Sequence, residues 1–268
     1  MSWVEPGAGR RIIDLTVELA ESLPCSWPTH LPYQHHVYNY YADVGGRDPR
    51  SARLGAYQTR WLAIDEHTGT HLDAPAHFIP EPDSGLPNAA GAGTVTVEQL
   101  PLEGLFGAAV VIDVRHLREG PVQDGVSPAI TPATIEAFEA EHGRLEPSEI
   151  VLFRSDWADL YGPGADGDAY GRAPVVEGKG PGWPAPDAAA IEMLDQRGIV
   201  TLGTEAPSVG ATEDGAPAHL AGLGRRMIFI EGLTGLRELP TRGATFLMLP
   251  LKIKNGTGAP GRAIAFVS

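Results

Sequence analysis

Three histidines and an aspartate fall within eleven residues in His67-Thr-Gly-Thr-His71-Leu-Asp73-Ala-Pro-Ala-His77-Phe78. No other stretch of the chain has that density of metal-ligand side chains. Imidazole nitrogen and carboxylate oxygen are the donors that borderline and hard divalent cations take, and the segment offers both without a thiolate. The chemistry this points to is a divalent metal site.

The spacing constrains the local path. All four residues would share one face of a straight strand. At about 3.3 Å per residue, however, His67 and His71 would stand about 13 Å apart, too far for one ion. A helical turn brings residues four apart to about 6 Å, whereas His71 and Asp73 converge better when extended. The sequence therefore predicts a bend at Thr68-Gly69-Thr70, which Gly69 permits, followed by a short extended piece. Pro75 resists a helix through Ala74 and sets His77 on a rigid shoulder.

A second group lies far along the chain. Met227-Ile-Phe-Ile-Glu231 places a carboxylate after four apolar residues and before Gly232. Such a glutamate either meets solvent at a strand end or faces a cation. His219, in Ala216-Pro-Ala-His219-Leu, is open in the same way. Together the two could make a His-plus-carboxylate set for a second metal, with Asp73 bridging. Paired metals about 3.5–4 Å apart share a hydroxide and polarise a carbonyl.

Two residues are expected to bind substrate. Trp27 belongs to a cluster with His30, Tyr33, His35, His36, Tyr38, Tyr40 and Tyr41. That cluster reads either as ordinary packing of a long loop or as one wall of a pocket for a planar molecule. Ser208 follows Pro207 without a Gly-x-Ser-x-Gly elbow, so it is assigned to the pocket wall and not to a triad. Cys25 reads as a packed thiol, because nothing beside it would stabilise a thiolate.

The elements that must position these groups are short. Arg11 to Thr16 reads as a first strand, and Tyr57 to Asp65 as a strand that delivers the chain into the histidine cluster. Apolar runs at Ala108–Val114, Ile150–Arg154, Ile199–Gly203, Met227–Glu231, Ala244–Leu249 and Ala263–Val267 read as buried strands. Thr131 and Pro132 open a helix that Gly143 ends, and a second helix from Asp187 stops at Gly198. Strand–helix alternation of this kind argues for an α/β core with parallel pairing. Long loops are expected near 21–55, 80–97 and 161–186, the last as a lid or insertion.

Composition bounds the rest. The 268 residues, 43% hydrophobic and 20% charged, suit one large globular domain or two small ones. A net charge of −14 disfavours nucleic acid and anionic membrane as partners. One cysteine excludes an internal disulfide and fits a cytoplasmic protein. No signal peptide pattern and no apolar run of about 18 residues is expected to target or span a membrane.

The first segment matches every defined position of the signature H-x-G-T-H-x-D-x-P-x-H-F, so the chain resembles the cyclase superfamily. Bacterial kynurenine formamidases are its best-known members and isatin hydrolases are relatives. The resemblance extends through Gly203-Thr-Glu-Ala-Pro-Ser208, His219 with Glu231 twelve residues later, Leu249-Pro-Leu-Lys-Ile253 and Gly256-Thr-Gly258. It implies a single α/β domain over 1–268, a swivelling β/β/α-type mixed sheet with flanking helices. It implies a first metal held by His67, His71 and Asp73 and a second by Asp73, His219 and Glu231. His77 becomes the catalytic proton-transfer residue. Zinc is the metal implied, with manganese the alternative, at one or two per subunit, and the assembly is a homodimer or homotetramer. The extra lengths around 31–55, 80–97 and 161–182 depart from the compact formamidases, and Glu205 stands where aspartate is commoner.

The reaction implied is hydrolysis of the C–N amide bond of a small-molecule aryl formamide or cyclic amide, by metal-activated hydroxide with His77 as general acid and base. The alternative keeps the metals and cyclises or dehydrates a polyketide-type biosynthetic intermediate. A non-enzymatic, metal-stabilised scaffold is a third reading, and His77 argues against it, because a further base exceeds structural need.

Overall fold

Apolar runs joined by short helices arrange the chain as strands along one mixed sheet. The computed structural model describes residues 11–42, 56–120 and 123–268. In chain order the strands are β1 (Arg11–Asp14), β2 (Gln34–Ala42), β3 (Tyr57–Ala63), β4 (His71–Asp73), β5 (Phe106–Asp113), β6 (Ala129–Ile130), β7 (Ile150–Arg154), β8 (Ala185–Pro186), β9 (Thr201–Thr204), β10 (Ile228–Glu231), β11 (Arg242–Pro250) and β12 (Gly258–Val267). The three longer helices are α1 (Pro132–His142), α2 (Ala188–Gln196) and α3 (Ala216–Leu223).

The main sheet runs β1-β12-β11-β5-β7-β9-β10-β4. Neighbours from β5 to β10 are parallel, as the intervening helices require, and the remaining pairs are antiparallel. β4 also pairs with the start of β12, through Gly258 to Pro260. The last half of β12 pairs with β1. This second pairing of β4 closes the sheet into a barrel. The expected mixed α/β architecture in one domain is therefore what the chain adopts.

Period-two alternation divides the core. Val111, Leu152, Ile230, Leu72 and Phe246 point into one buried cluster inside the closed sheet. Val110, Ile112, Val151, Phe153, Leu202 and Phe229 point the other way, onto Ile135 and Phe138 of α1, Ile191 and Leu194 of α2 and Leu223 of α3. Both faces of the parallel strands are covered, which is why their sequences are continuously apolar. The helix ends follow their residues. Thr134 Oγ1 accepts from the Thr131 amide, and Asp187 Oδ1 accepts from Ala190 N at 2.7 Å.

Two expectations need correction. The loop expected over 21–55 contains β2, which pairs antiparallel with β3 as a two-stranded ribbon. Val37 and its aromatic neighbours favour extended backbone, and the ladder satisfies their peptide groups. Residues 43–55 of that loop and the N-terminal ten lie outside the described residues. The segment 80–97 is a surface loop as expected, exposed at nearly every residue from 81 to 91, and 3-10 turns in its last part bury Ala92 and Val97. The segment 161–186 is a packed wall and not a lid, because helical turns over 165–176 bury Tyr170, and Trp183 is fully buried. Among the described residues, no helix is long and apolar enough to cross a membrane.

Candidate metal centre and its cleft

Strand β4 is three residues long and carries two of the candidate ligands. His71 and Asp73 share its outer face, while Leu72 between them is anchored in the barrel interior. The antiparallel register with β10 sets Glu231 directly opposite His71. Cross-strand partners stand close enough for their side chains to meet. On its other side β4 pairs with β12, where Gly258 lies opposite Asp73. A Cβ at Gly258 would come within 2.4 Å of His67 Cε1, so the ring of His67 occupies the space that glycine leaves.

The bend before β4 is where the spacing placed it. Gly69 takes a left-handed φ of 64°. His67 thereby folds back onto the strand, and its Nδ1 lies 2.8 Å from Asp73 Oδ1. After β4, Pro75 opens a single 3-10 turn, Pro75–His77, at the position where its missing amide is harmless. That turn swings His77 beside the cluster, with its ring centre 4.0 Å from that of His67. His219 arrives from α3. Sequence patterning missed that helix because Ala, Gly and Leu make it apolar all round, which is the mark of a buried helix.

Two of the histidines have a determined orientation. His71 Nδ1 lies 2.8 Å from the Gly69 carbonyl and His219 Nδ1 lies 2.7 Å from the Gly215 carbonyl. A carbonyl only accepts, so each Nδ1 donates and each Nε2 faces the carboxylates. His71 Nε2 is 3.6 Å from Asp73 Oδ1 and 3.3 Å from Glu231 Oε2. His219 Nε2 is 3.5 Å from Asp73 Oδ2 and 3.4 Å from Glu231 Oε1. Ligand atoms of His67, His71 and Asp73 all lie within 4.8 Å of one another, as do those of Asp73, His219 and Glu231. Asp73 is common to both sets.

These residues fit a divalent cation. Asp73 is completely buried, and its Oδ2 has no hydrogen-bond partner. A buried carboxylate oxygen without a partner is costly, and coordination would remove the cost. The donors are imidazole and carboxylate only, as such ions prefer.

The electrostatics carry the same imprint. Burial opposes a charge on His71, yet Glu231 and Asp73 outweigh it and lift its pKa to about 9. Burial likewise opposes a charge on His219, and the same two carboxylates lift it to about 10. Burial resists ionisation of Asp73, but the surrounding histidines hold its carboxyl well below the usual range. His77 behaves oppositely. Burial and the neighbouring His67 and His219 depress it to about 4 against the pull of Asp73, so it is neutral at pH 7.

The cluster floors a cleft of about 310 Å³. Trp27 and Ser208 both line it, as does His30. Ser208 Oγ donates to Glu231 Oε1 at 3.3 Å, and the Val209 amide donates to the same oxygen at 2.7 Å. Of the remaining aromatic cluster, Tyr33, His35, His36, Tyr38, Tyr40 and Tyr41 do not line the cleft. Tyr38, Tyr40 and Tyr41 stand exposed on the β2–β3 ribbon. The walls that sequence reasoning missed are Phe78, which stacks on His219 with ring centres 4.2 Å apart, and Tyr161 and Tyr170. Phe78 was visible as the last position of the signature. Tyr161 and Tyr170 were hidden in a Gly- and Pro-rich segment. Cys25 is buried beside the cleft, and burial raises its thiol pKa, as befits a packed residue.

Known proteins resemble this chain in sequence and fold. The family described as "Putative cyclase" matches residues 13–211. The isatin hydrolase of Roseibium aggregatum is 35% identical over 215 residues, covering 77% of this chain and 74% of that protein. A kynurenine formamidase of Erythrobacter litoralis is 30% identical over 256 residues, covering 95% and 93%. Among solved structures, isatin hydrolase A from Labrenzia aggregata bound to benzyl benzoate superposes with a TM-score of 0.73 at 32% identity, covering 96% of this chain and 94% of that one. An isatin hydrolase bound to the product analogue thioisatinate superposes at 0.75 with 28% identity, covering 96% and 92%. The chain belongs to the cyclase family.

Proposed function

We propose that this enzyme hydrolyses the C–N amide bond of a small aryl formamide or cyclic amide, as the names of its isatin hydrolase and kynurenine formamidase relatives suggest. The observation that carries the reading is the orphaned, fully buried Asp73 Oδ2, set among imidazoles at the floor of an aromatic cleft. His67, His71 and Asp73 are assigned to one divalent cation, and Asp73, His219 and Glu231 to a second. Zinc is the metal we expect, with manganese the alternative.

When bound, the cation supplies Lewis-acid polarisation of the amide carbonyl and a lowered pKa for water. His77 is the proton carrier. It is neutral at pH 7, it is partly open to the cleft, and its Nε2 sits 4.0 Å from Asp73 Oδ2. An unprotonated imidazole there can take a proton from the attacking water and return it to the departing nitrogen. Trp27, Phe78 and Tyr170 offer flat faces for an aryl ring. Ser208 holds the Glu231 carboxylate in place.

Association as a homodimer or homotetramer belongs to the same proposal, supported by the apolar surface that Val37, Tyr38, Trp61 and Leu62 expose on the ribbon. A cytoplasmic location is proposed with it, supported by the single, buried Cys25.

The test is turnover of N-formylkynurenine and of isatin, followed by ultraviolet absorbance in metal-loaded protein. Hydrolysis of at least one is expected. It should vanish with chelator and fall by about 10²–10⁴ in His77→Ala while metal content holds. Silence on both substrates in loaded protein would overturn the proposal and favour cyclisation of a larger substrate.

A further inference from the structure

Glu205 is a buried carboxylate that the hydrolytic chemistry does not use. It is 1% exposed, it follows β9, and it does not line the cleft. Its Oε2 accepts two backbone hydrogen bonds, from Ser155 N at 2.9 Å and Asp156 N at 2.6 Å. Those amides belong to the turn that leaves β7, where Asp156 takes a left-handed φ of 53°. A non-glycine residue holds that conformation only when its surroundings impose it.

The turn leads to an aromatic chain that ends at the cleft. Trp157 follows at once, and its indole Nε1 donates to the Tyr170 carbonyl at 2.9 Å. The Tyr170 hydroxyl donates back to the Glu205 carbonyl at 3.1 Å. Glu205, the turn, Trp157 and Tyr170 thus form a closed ring of hydrogen bonds. Trp183 packs edge-on against Trp157 at 6.1 Å, and Trp27 edge-on against Trp183 at 6.3 Å. Trp183 is pinned in turn by its own indole donating to the Gly210 carbonyl at 2.8 Å. Two members of this assembly, Trp27 and Tyr170, line the cleft. Their placement therefore depends on the turn that Glu205 holds.

We propose that Glu205 is a positioning residue for the substrate-binding wall, fixing the Ser155–Asp156 turn by the reach of its side chain and thereby the distance from Trp27 and Tyr170 to the metal-ligand cluster. This rests on the amide-hydrolase reading and deepens it, because it says what sets affinity for the aryl part of the substrate. Reach, and not charge, is the operative property. Burial lifts the carboxyl pKa to about 7, so the side chain gains little from ionisation at neutral pH, whereas its position is held by two bonds.

Glu205→Asp keeps the charge and shortens the side chain by one carbon–carbon bond, about 1.5 Å. Glu205→Gln keeps the length and an acceptor oxygen and removes the charge. In metal-loaded protein, Glu205→Asp is expected to raise KM for isatin or N-formylkynurenine about tenfold. Its kcat should stay within about threefold, and its near-ultraviolet circular dichroism should lose the signature of the coupled tryptophans. Glu205→Gln is expected to stay within about threefold of wild type in all three. Unchanged KM and dichroism in Glu205→Asp would overturn the proposal, as would a Glu205→Gln as impaired as Glu205→Asp. If Glu205→Asp does not fold, Tyr170→Phe breaks the ring at one hydroxyl. It should raise KM with kcat and metal content retained, and an unchanged KM there also refutes the idea. Absence of turnover in wild type would count against the hydrolase reading alone, since the tryptophan dichroism reports the wall without any reaction.

Discussion

Metal binding by this centre should expel protons, and the structure sets how many. In the metal-free fold His71 and His219 have pKa values of about 9 and about 10 because two buried carboxylates face each imidazolium. At pH 7 both rings are protonated at Nε2, since each Nδ1 is committed to a backbone carbonyl. A cation needs that same nitrogen as a lone-pair donor. One cation in each donor set therefore releases about two protons per subunit at pH 7. Displacement opposes binding by on the order of 3 kcal/mol at His71 and 4 kcal/mol at His219, at about 1.4 kcal/mol per unit of pKa above the solution pH. Each site should gain about tenfold in affinity per pH unit from pH 7 upward, flattening near pH 9 for the first and pH 10 for the second. Calorimetric titration with zinc or manganese in two buffers of different ionisation enthalpy counts the protons directly. Release of fewer than about one proton per filled pair, or an affinity independent of pH between 7 and 8, would refute the reasoning.

The same groups govern the metal-free fold. Histidines with raised pKa contribute stability that is complete below the unfolded value near 6.5 and is lost as pH climbs through 9 and 10. His77, depressed to about 4, adds a loss as pH falls from 6.5 toward 4. Chelator-treated protein should thus melt highest near pH 6.5 and lower at pH 9.5, as read by circular dichroism. A melting temperature that rises steadily from pH 6.5 to 9.5 would contradict this. Gly258→Ala should push a methyl group into the His67 ring and weaken the first metal site. Metal analysis after dialysis should then find less than wild-type content, whereas full retention would show that the ring can step aside.

The candidate site was legible because one short strand and its flanking turns supply His67, His71, Asp73 and His77 in a row. Local spacing was enough to place the bend at Gly69 and the break at Pro75. Buried strands announced themselves by continuous apolar runs, since both faces of the parallel strands are covered. Strand β3 was read from its alternation, but β2 gave no such signal, because most of its positions are exposed and no buried face marks it. Helix α3 failed for the opposite reason, being apolar on every side. The role of Gly258 was invisible in principle. What it must accommodate is a ring that lies next to it only once the barrel has closed.

Strand β4 shows how the fold separates the reactive centre from its recognition wall. Three residues are too few to form a stable strand alone, yet β4 has ladder partners on both sides, β10 and β12, and Leu72 is sunk in the core. His71, Asp73 and Glu231 therefore sit on strands whose position the whole barrel determines. Trp27, Tyr161 and Tyr170 sit on connections between strands, outside that ladder. A change in those connections can reshape the cleft without moving a candidate metal ligand. Altered wall residues should accordingly move KM and substrate choice, while metal content follows only the residues that β4, β10, β12 and α3 hold in place.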